Sequence, residues 1–328
     1  MELRTTFDIT PSENKITYID PVIFIGSCFA TAIGNKFETG HMPVMINPSG
    51  TVYNPVSVGN TLDKILSGKN YVKRDLYNNN GKWLSFDHYT DFSSVNQDKT
   101  LKSINLRLVE ARKFIAGARF LFVTFGTARV YRWKQTGEIV SNCHKIPSAY
   151  FSHELLKVRD IVSSWNKLLD ILKSQYPDIK VTFTISPVRH WKDGAHGNQV
   201  SKSILFLAVE ELLNHPSKPA YFPAYELVMD DLRDYRFYDD DMLHPSSTAV
   251  DYIWKAFSDC YFDVRTRELW KEVSGISKAV SHKIQSDSTG EIKKFAETIL
   301  FRINKISKNN PSLNLNKEKR YFLNLLKI

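Results

Sequence analysis

Cysteine is scarce in this chain. Only Cys28, Cys143 and Cys260 occur among 328 residues, odd in number, widely spaced and without a CxxC pair. That argues against a disulfide framework and against a structural metal site, and points to a reducing, cytoplasmic setting. Long apolar runs are lacking too. None approaches the roughly 20 residues of a membrane span, and the opening MELRTTFDITPSENK has no apolar signal segment, so no membrane span is expected. Internal repeats are absent. Net charge is nearly missing from the body. The net charge is +9, but residues 263–328 hold 14 Lys/Arg against 7 Asp/Glu, which leaves the preceding part close to neutral. The basic tail reads as a solvated helical face, and nucleic acid is not an expected partner.

What is present is a large apolar inventory, 42% hydrophobic and 12% aromatic residues, enough for a sizeable core. Continuous apolar runs suit strands covered on both faces: Val22–Ile25, Pro43–Ile46, Arg119–Phe125, Lys180–Ile185 and a weaker one at Ala220–Tyr225. Helical patterns alternate with them at Ala30–Phe37, Lys102–Ala116, Phe151–Ser174, Gln199–Asn214 and Thr248–Phe262. This alternation predicts an α/β fold, a three-layer α/β/α sandwich around a parallel sheet of about five strands. The stretch from Lys69 to Val95 reads as a long loop or a hairpin insertion. After Phe262 only helices are predicted, Arg265–Ile284 and Thr289–Ser307, joined at SDSTG and followed by a polar KNNPSLNLNKEK linker. The expected division is a body of residues 1–262 and a basic helical extension of residues 263–328.

Ligands of open parallel sheets bind beyond the carboxyl ends of the strands. Four polar segments stand there: Gly26-Ser27-Cys28, NPSGTVYNP (Asn47–Pro55), GTARVYR (Gly126–Arg132) and SPVRHWKDG (Ser186–Gly194). Later comes DDDMLHPSS, in which Asp241 and His244 form a DxxH pair ahead of a helix. An acid three residues from a histidine can fix its tautomer while the other ring nitrogen serves a nucleophile. His144 and His190 also sit near strand ends.

These motifs together resemble the GSCFA-domain family, a branch of the SGNH/GDSL hydrolase superfamily. The resemblance runs from VIFIGSCFATAIG through NPSGTVYNP, FGTARVY, NCHKIP and SPVRHWKDG to YFPAYELVMDDLRDYRFYDDDMLHPS. It implies acyl-ester hydrolysis or acyl transfer, often on carbohydrates, without a cofactor. Aligned on the superfamily's Gly-Asp-Ser-Leu block, Gly26 takes the Gly place, Ser27 the Asp place and Cys28 the place of the nucleophilic Ser. Asp241 and His244 match the final block unchanged. Gly50 matches the second-block glycine of the oxyanion hole. Gly126 opens the third block, whose Asn is absent, so that donor either comes from Asn54 or Asn142 or is missing.

A catalytic group of Cys28 or Ser27, His244 and Asp241 is therefore expected, with Gly50, Asn54 and Gly126 at the oxyanion and His144, Arg189, His190 and Arg129 on the substrate. The substrate is expected to be a carbohydrate or other small ester; transfer would add an acyl thioester donor. Cys28 as a small buried hydrophobe and Ser27 as a helix cap stand beside those readings. Two other functions remain open: a ligand-binding module that has lost turnover, and an interaction protein acting through the basic helices.

Overall fold

The computed structural model of the protein describes residues 5–281 and 288–327. In chain order the strands are β1 (Val22–Gly26), β2 (Val44–Ile46), β3 (Tyr77–Asn79), β4 (Lys82–Leu84), β5 (Phe120–Phe125), β6 (Arg129–Trp133), β7 (Ile139–Val140), β8 (Phe151–Leu155), β9 (Lys180–Ile185) and β10 (Ala220–Tyr221). The helices are α1 (Cys28–Thr39), α2 (Pro55–Leu66), α3 (Gln97–Ile115), α4 (Val158–Gln175), α5 (Gly194–Leu213), α6 (Ala224–Glu226), α7 (Ser247–Tyr261), α8 (Val264–Ser281), α9 (Thr289–Asn309) and α10 (Asn316–Leu325).

Five strands form one parallel sheet in the order β10-β9-β5-β1-β2. Successive side chains of a strand point to opposite faces, and here both faces are apolar. Ile23, Ile25, Leu121, Val123, Phe125, Val181 and Phe183 join a cluster with residues of α2, α3, α4 and α5. Val22, Phe24, Phe120 and Phe122 join a second cluster with Phe29, Ile33 and Phe37 of α1 and Ile253, Trp254 and Phe257 of α7. The result is the expected three-layer α/β/α sandwich. Strand order reverses between β1 and β5, since β2 lies on one side of β1 and β5 on the other, so the crevice of the sheet opens at their carboxyl ends.

Three expectations need correction. The helix expected from Phe151 begins only at Val158. Phe151–Leu155 is instead strand β8, paired with β6 in a small antiparallel sheet β7-β6-β8. Phe151, Trp133, Val140 and Ile146 form its own small core, which outweighs the helical spacing of Leu155. The strand expected over Ala220–Tyr225 stops at Tyr221; Phe222 and Ala224 turn into the apolar cluster on the α1 face, and α6 follows Pro223. The polar linker after α9 contains α10, anchored by buried Leu313, Leu315 and Phe322. The insertion is a hairpin, β3 with β4. The first part of the SDSTG joint and the expected helix end at Ile284 lie outside the described residues.

The extension docks on the carboxyl end of α1. Trp270 Nε1 donates to the Lys36 carbonyl at 2.8 Å, and Ser277 Oγ donates to the Thr39 carbonyl at 2.9 Å. These carbonyls belong to the last turn of α1, where a helix runs short of N–H donors; the Lys36 carbonyl also receives the Gly40 N–H at 3.1 Å. Trp270 also packs on Trp254 of α7 with ring centroids 4.8 Å apart. Among the described residues no helix is long and apolar enough to cross a membrane.

Gly26 sets the turn that leads from β1 to α1. Its φ is +146°, and a Cβ there would fall 2.1 Å from the Thr124 carbonyl oxygen. Both the backbone conformation and the space require glycine. Gly26→Ala is expected to lower unfolding stability by about 2 kcal/mol or more, read as a drop in the urea midpoint followed by circular dichroism.

Candidate functional site

Ser27 ends the β1 turn as the N-cap of α1, its Oγ accepting the Phe29 N–H at 3.3 Å. It is 1% exposed. Its hydroxyl therefore serves the helix. Cys28 is the first residue of α1 and half-buried. Burial pushes its thiol above the ordinary value; the N–H groups of Phe29 and Cys28 and the charge of Lys202 pull it down, and the charge of Asp241 adds to the rise.

Asn47 fastens this turn. Its Oδ1 accepts the Gly26 N–H at 2.8 Å, while its Nδ2 donates to Thr31 Oγ1 at 2.8 Å. The loop after β2 is thus tied to both sides of the thiol. Nothing but its place in NPSGTVYNP marked Asn47 in the sequence.

Gly126, beyond β5, is where the walls meet. A Cβ there would lie 3.1 Å from the Tyr53 carbonyl, 3.2 Å from His190 Nε2 and 3.5 Å from Ser27 Cβ. His190 stands edge-on to the Tyr53 ring at 5.6 Å. Burial first, then the charge of Lys202, takes its pKa down to about 4, with further shifts from Asp193 and His244, so the ring is neutral at pH 7.

Lys202 of α5 was missed. It is fully buried, and its Nζ donates to the carbonyls of Gly126 at 2.7 Å and Ser186 at 2.6 Å. Those carbonyls end β5 and β9. Burial lowers its pKa to about 7, opposed by Cys28 and aided by Arg189. The signal was present: with Leu205, Val209 and Leu212, Lys202 falls on the buried stripe of α5, where a lysine rarely lies unless paired or bonded.

Asp241 and His244 lie on the loop into α7. His244 Nδ1 and Asp241 Oδ2 are 2.5 Å apart, and Asp241 Oδ1 accepts the N–H groups of Leu243 and His244, each at 2.9 Å. These bonds, the backbone one first, hold Asp241 down to about 2. An ionised carboxylate only accepts, so Nδ1 carries the proton of that bond. His244 is about half exposed (47%). Among the described residues no hydrogen bond joins it to Cys28 or Ser27. Asp241 lies close enough to act on the charge of Cys28, and His244 on that of His190, but the contact to the thiol is open.

The oxyanion candidates are engaged elsewhere. The Gly50 N–H donates to the Asn47 carbonyl at 2.8 Å, and the Gly126 N–H to the Tyr53 carbonyl at 2.7 Å. Asn54 caps α2, its Oδ1 accepting the Ser57 N–H and its Nδ2 donating to Ser57 Oγ. Asn142 binds the His144 N–H and Thr90 Oγ1.

Of the expected substrate residues, Arg189 and His190 reach the crevice. His144 does not: its buried Nε2 meets the Ser85 carbonyl at 2.8 Å, within the insertion. Arg129 starts β6, its Nη2 lies near Gly197 of α5, and its charge acts on His153. His88, also of the insertion, is buried between Tyr71 and Phe92. Among the described residues no group of three or more His, Cys, Asp or Glu side chains is placed to hold a metal ion.

Comparison with curated proteins gives no match. Among solved structures, the chain is similar to a "putative platelet activating factor" from Streptococcus pneumonia, at 13% identity and TM-score 0.38, covering 74% of this chain and 85% of that one. It is also similar to a "putative acylhydrolase" from Bacteroides fragilis, at 10% identity and TM-score 0.38, covering 81% and 91%. The GSCFA domain protein C-terminal domain matches residues 273–328. The GSCFA family model matches residues 21–257, most of the chain, and so the protein belongs to the GSCFA family.

Proposed function

We propose that the protein is a thiol-dependent acyl-ester hydrolase or acyltransferase of the SGNH/GDSL type, acting on a carbohydrate ester or a similar small ester. One observation supports this reading: a bonded Asp241–His244 pair close enough to act on Cys28 and His190, with the cysteine at a helix N-terminus. The Cys28 thiol passes its proton to His244 Nε2 as Sγ bonds to the acyl carbon. The ester C–O bond then breaks, and His244 returns the proton to the leaving oxygen. Water, or an acceptor hydroxyl or amine, attacks the thioester and frees Cys28. In transfer, an acyl thioester can replace the ester as donor. Asp241 orients His244 and stabilises its imidazolium. The Cys28 N–H meets the oxyanion, and neutral His190 supplies the donor that Gly50, Asn54 and Gly126 do not. Lys202 acts through Cys28, as a buried cation that favours the thiolate.

The open contact between His244 and the thiol favours a second reading, a ligand-binding module without turnover. The decisive experiment is intact-protein mass spectrometry after incubation with p-nitrophenyl acetate. An acetyl adduct on Cys28 is expected. No adduct on the native protein would favour the binding module, and an adduct on Ser27 would reassign the nucleophile.

Cys28→Ala is expected to abolish acylation. Ser27→Ala is expected to retain it while losing about 1 kcal/mol of stability with the helix cap. His244→Ala is expected to slow acylation roughly 100- to 10,000-fold, measured by stopped-flow release of p-nitrophenol.

Lys202→Met tests the buried cation in two ways. Iodoacetamide alkylation of Cys28 is expected to need a higher pH in the variant, because a charge that lowers the thiol pKa is gone. Stability gives the second sign. Lys202 titrates near 7 when folded and at about 10.4 when unfolded, so between these values the unfolded chain binds more protons. The stability of the wild type relative to Lys202→Met is expected to rise across that window and stay flat below it, as read from urea titrations at several pH values.

A further inference from the structure

Beside Asp241 lies a cleft of about 540 Å³. Its floor is mixed, with Val228, Met229 and Leu243, but its walls are aromatic and basic: Trp191, Tyr235, Tyr238, Arg189 and Arg233. The charges differ in their commitments. Asp241 has both oxygens bonded to its own loop. Asp234 accepts the Arg236 N–H at 3.0 Å and lies 3.4 Å from that guanidinium. Arg233 is 3.4 Å from Asp230.

Arg189 is the exception. Among the described residues it has no carboxylate partner, and its buried Nε has no hydrogen-bond acceptor. Its guanidinium lies over the Trp191 ring at 4.8 Å. Its charge is felt by the groups around it, lowering Lys202 and opposing the rise of Tyr225 and Tyr238. A buried guanidinium N–H without an acceptor is costly unless something else satisfies it. A planar fork of donors on an aromatic plate suits a two-oxygen anion, held bidentately. Trp191 and Tyr235 are 49% and 76% exposed, open flat faces for a ring of the ligand.

We propose that this cleft is an anion subsite, and that the ester taken by the enzyme carries a phosphate or carboxylate group bound by Arg189 next to a ring laid against Trp191 or Tyr235. The inference rests on the catalytic reading above for the identity of the ligand as substrate. The subsite itself rests on the cleft and on the uncommitted guanidinium. Arg189 stands four residues beyond β9, next to His190, and lines the cleft with Asp241, so an anion held there places the rest of the molecule along the Asp241–His244 loop.

The test is binding, measured by calorimetry on the native full chain with three probes of one size: phenyl phosphate, phenylacetate and benzyl alcohol. Both anions, or one of them, are expected to bind more tightly than the alcohol, and the two arms separate phosphate from carboxylate as the recognised group. Arg189→Met is expected to weaken the anion about tenfold or more, as for loss of a charged hydrogen bond. Arg189→Lys, which keeps the charge and loses the fork, is expected to fall between. Equal binding of the alcohol, binding of neither anion, or anion affinities within twofold of native in Arg189→Met would overturn the proposal. Acetylation of Cys28 in the native protein reports on the chemistry separately: anion binding without acetylation sinks the thiol mechanism alone, and acetylation without anion binding sinks the subsite alone.

Discussion

One ammonium group, shut off from solvent, holds the floor of the crevice together. The parallel sheet leaves carbonyls at the carboxyl ends of β5 and β9 with no further strand residue to receive, and Lys202 satisfies two of them at once. A buried cation is costly, and the cost is offset only because two carbonyl dipoles point at it. The same bonds fix Gly126, around which Tyr53, His190 and Ser27 close in. Position and charge are thus set together: the lysine that shapes the pocket also acts on the thiol above it.

Much of this was legible in the sequence. Both-face apolarity of VIFI, RFLFVTF and KVTFTI announced a covered parallel sheet, because such runs have no solvent side. The glycine and polar residues after each run announced the crevice. The small antiparallel sheet was not legible, since Phe151 and Leu155 fit a strand and the helical stripe of α4 equally well, and only the partner strand β6 decides between them. The role of Lys202 was hidden for another reason: its partners are backbone carbonyls, which have no letter in a sequence.

The residues expected at the oxyanion show how little a motif says of its own hydrogen bonds. Gly50 and Gly126 lie beyond β2 and β5, yet the Gly50 N–H closes a turn of its own loop and the Gly126 N–H crosses to the Tyr53 carbonyl. A glycine's letter and place in a motif do not reveal where its N–H points. The same holds for His144 and His190, which look alike beside their strand ends. One is drawn into the insertion by the Ser85 carbonyl; the other is pressed against Tyr53 at the crevice.

Helix α1 is anchored at both ends by different parts of the chain. Asn47 and the Gly26 turn grip its first residues, and Trp270 and Ser277 of the extension grip its last carbonyls. Twelve residues at about 1.5 Å each make a rod of roughly 18 Å between the two grips. A rod clamped in this way does not absorb strain by bending a loop. The extension and the crevice therefore share one rigid element, and α8 could not be displaced without straining either the Trp270 and Ser277 bonds or the Gly26 turn.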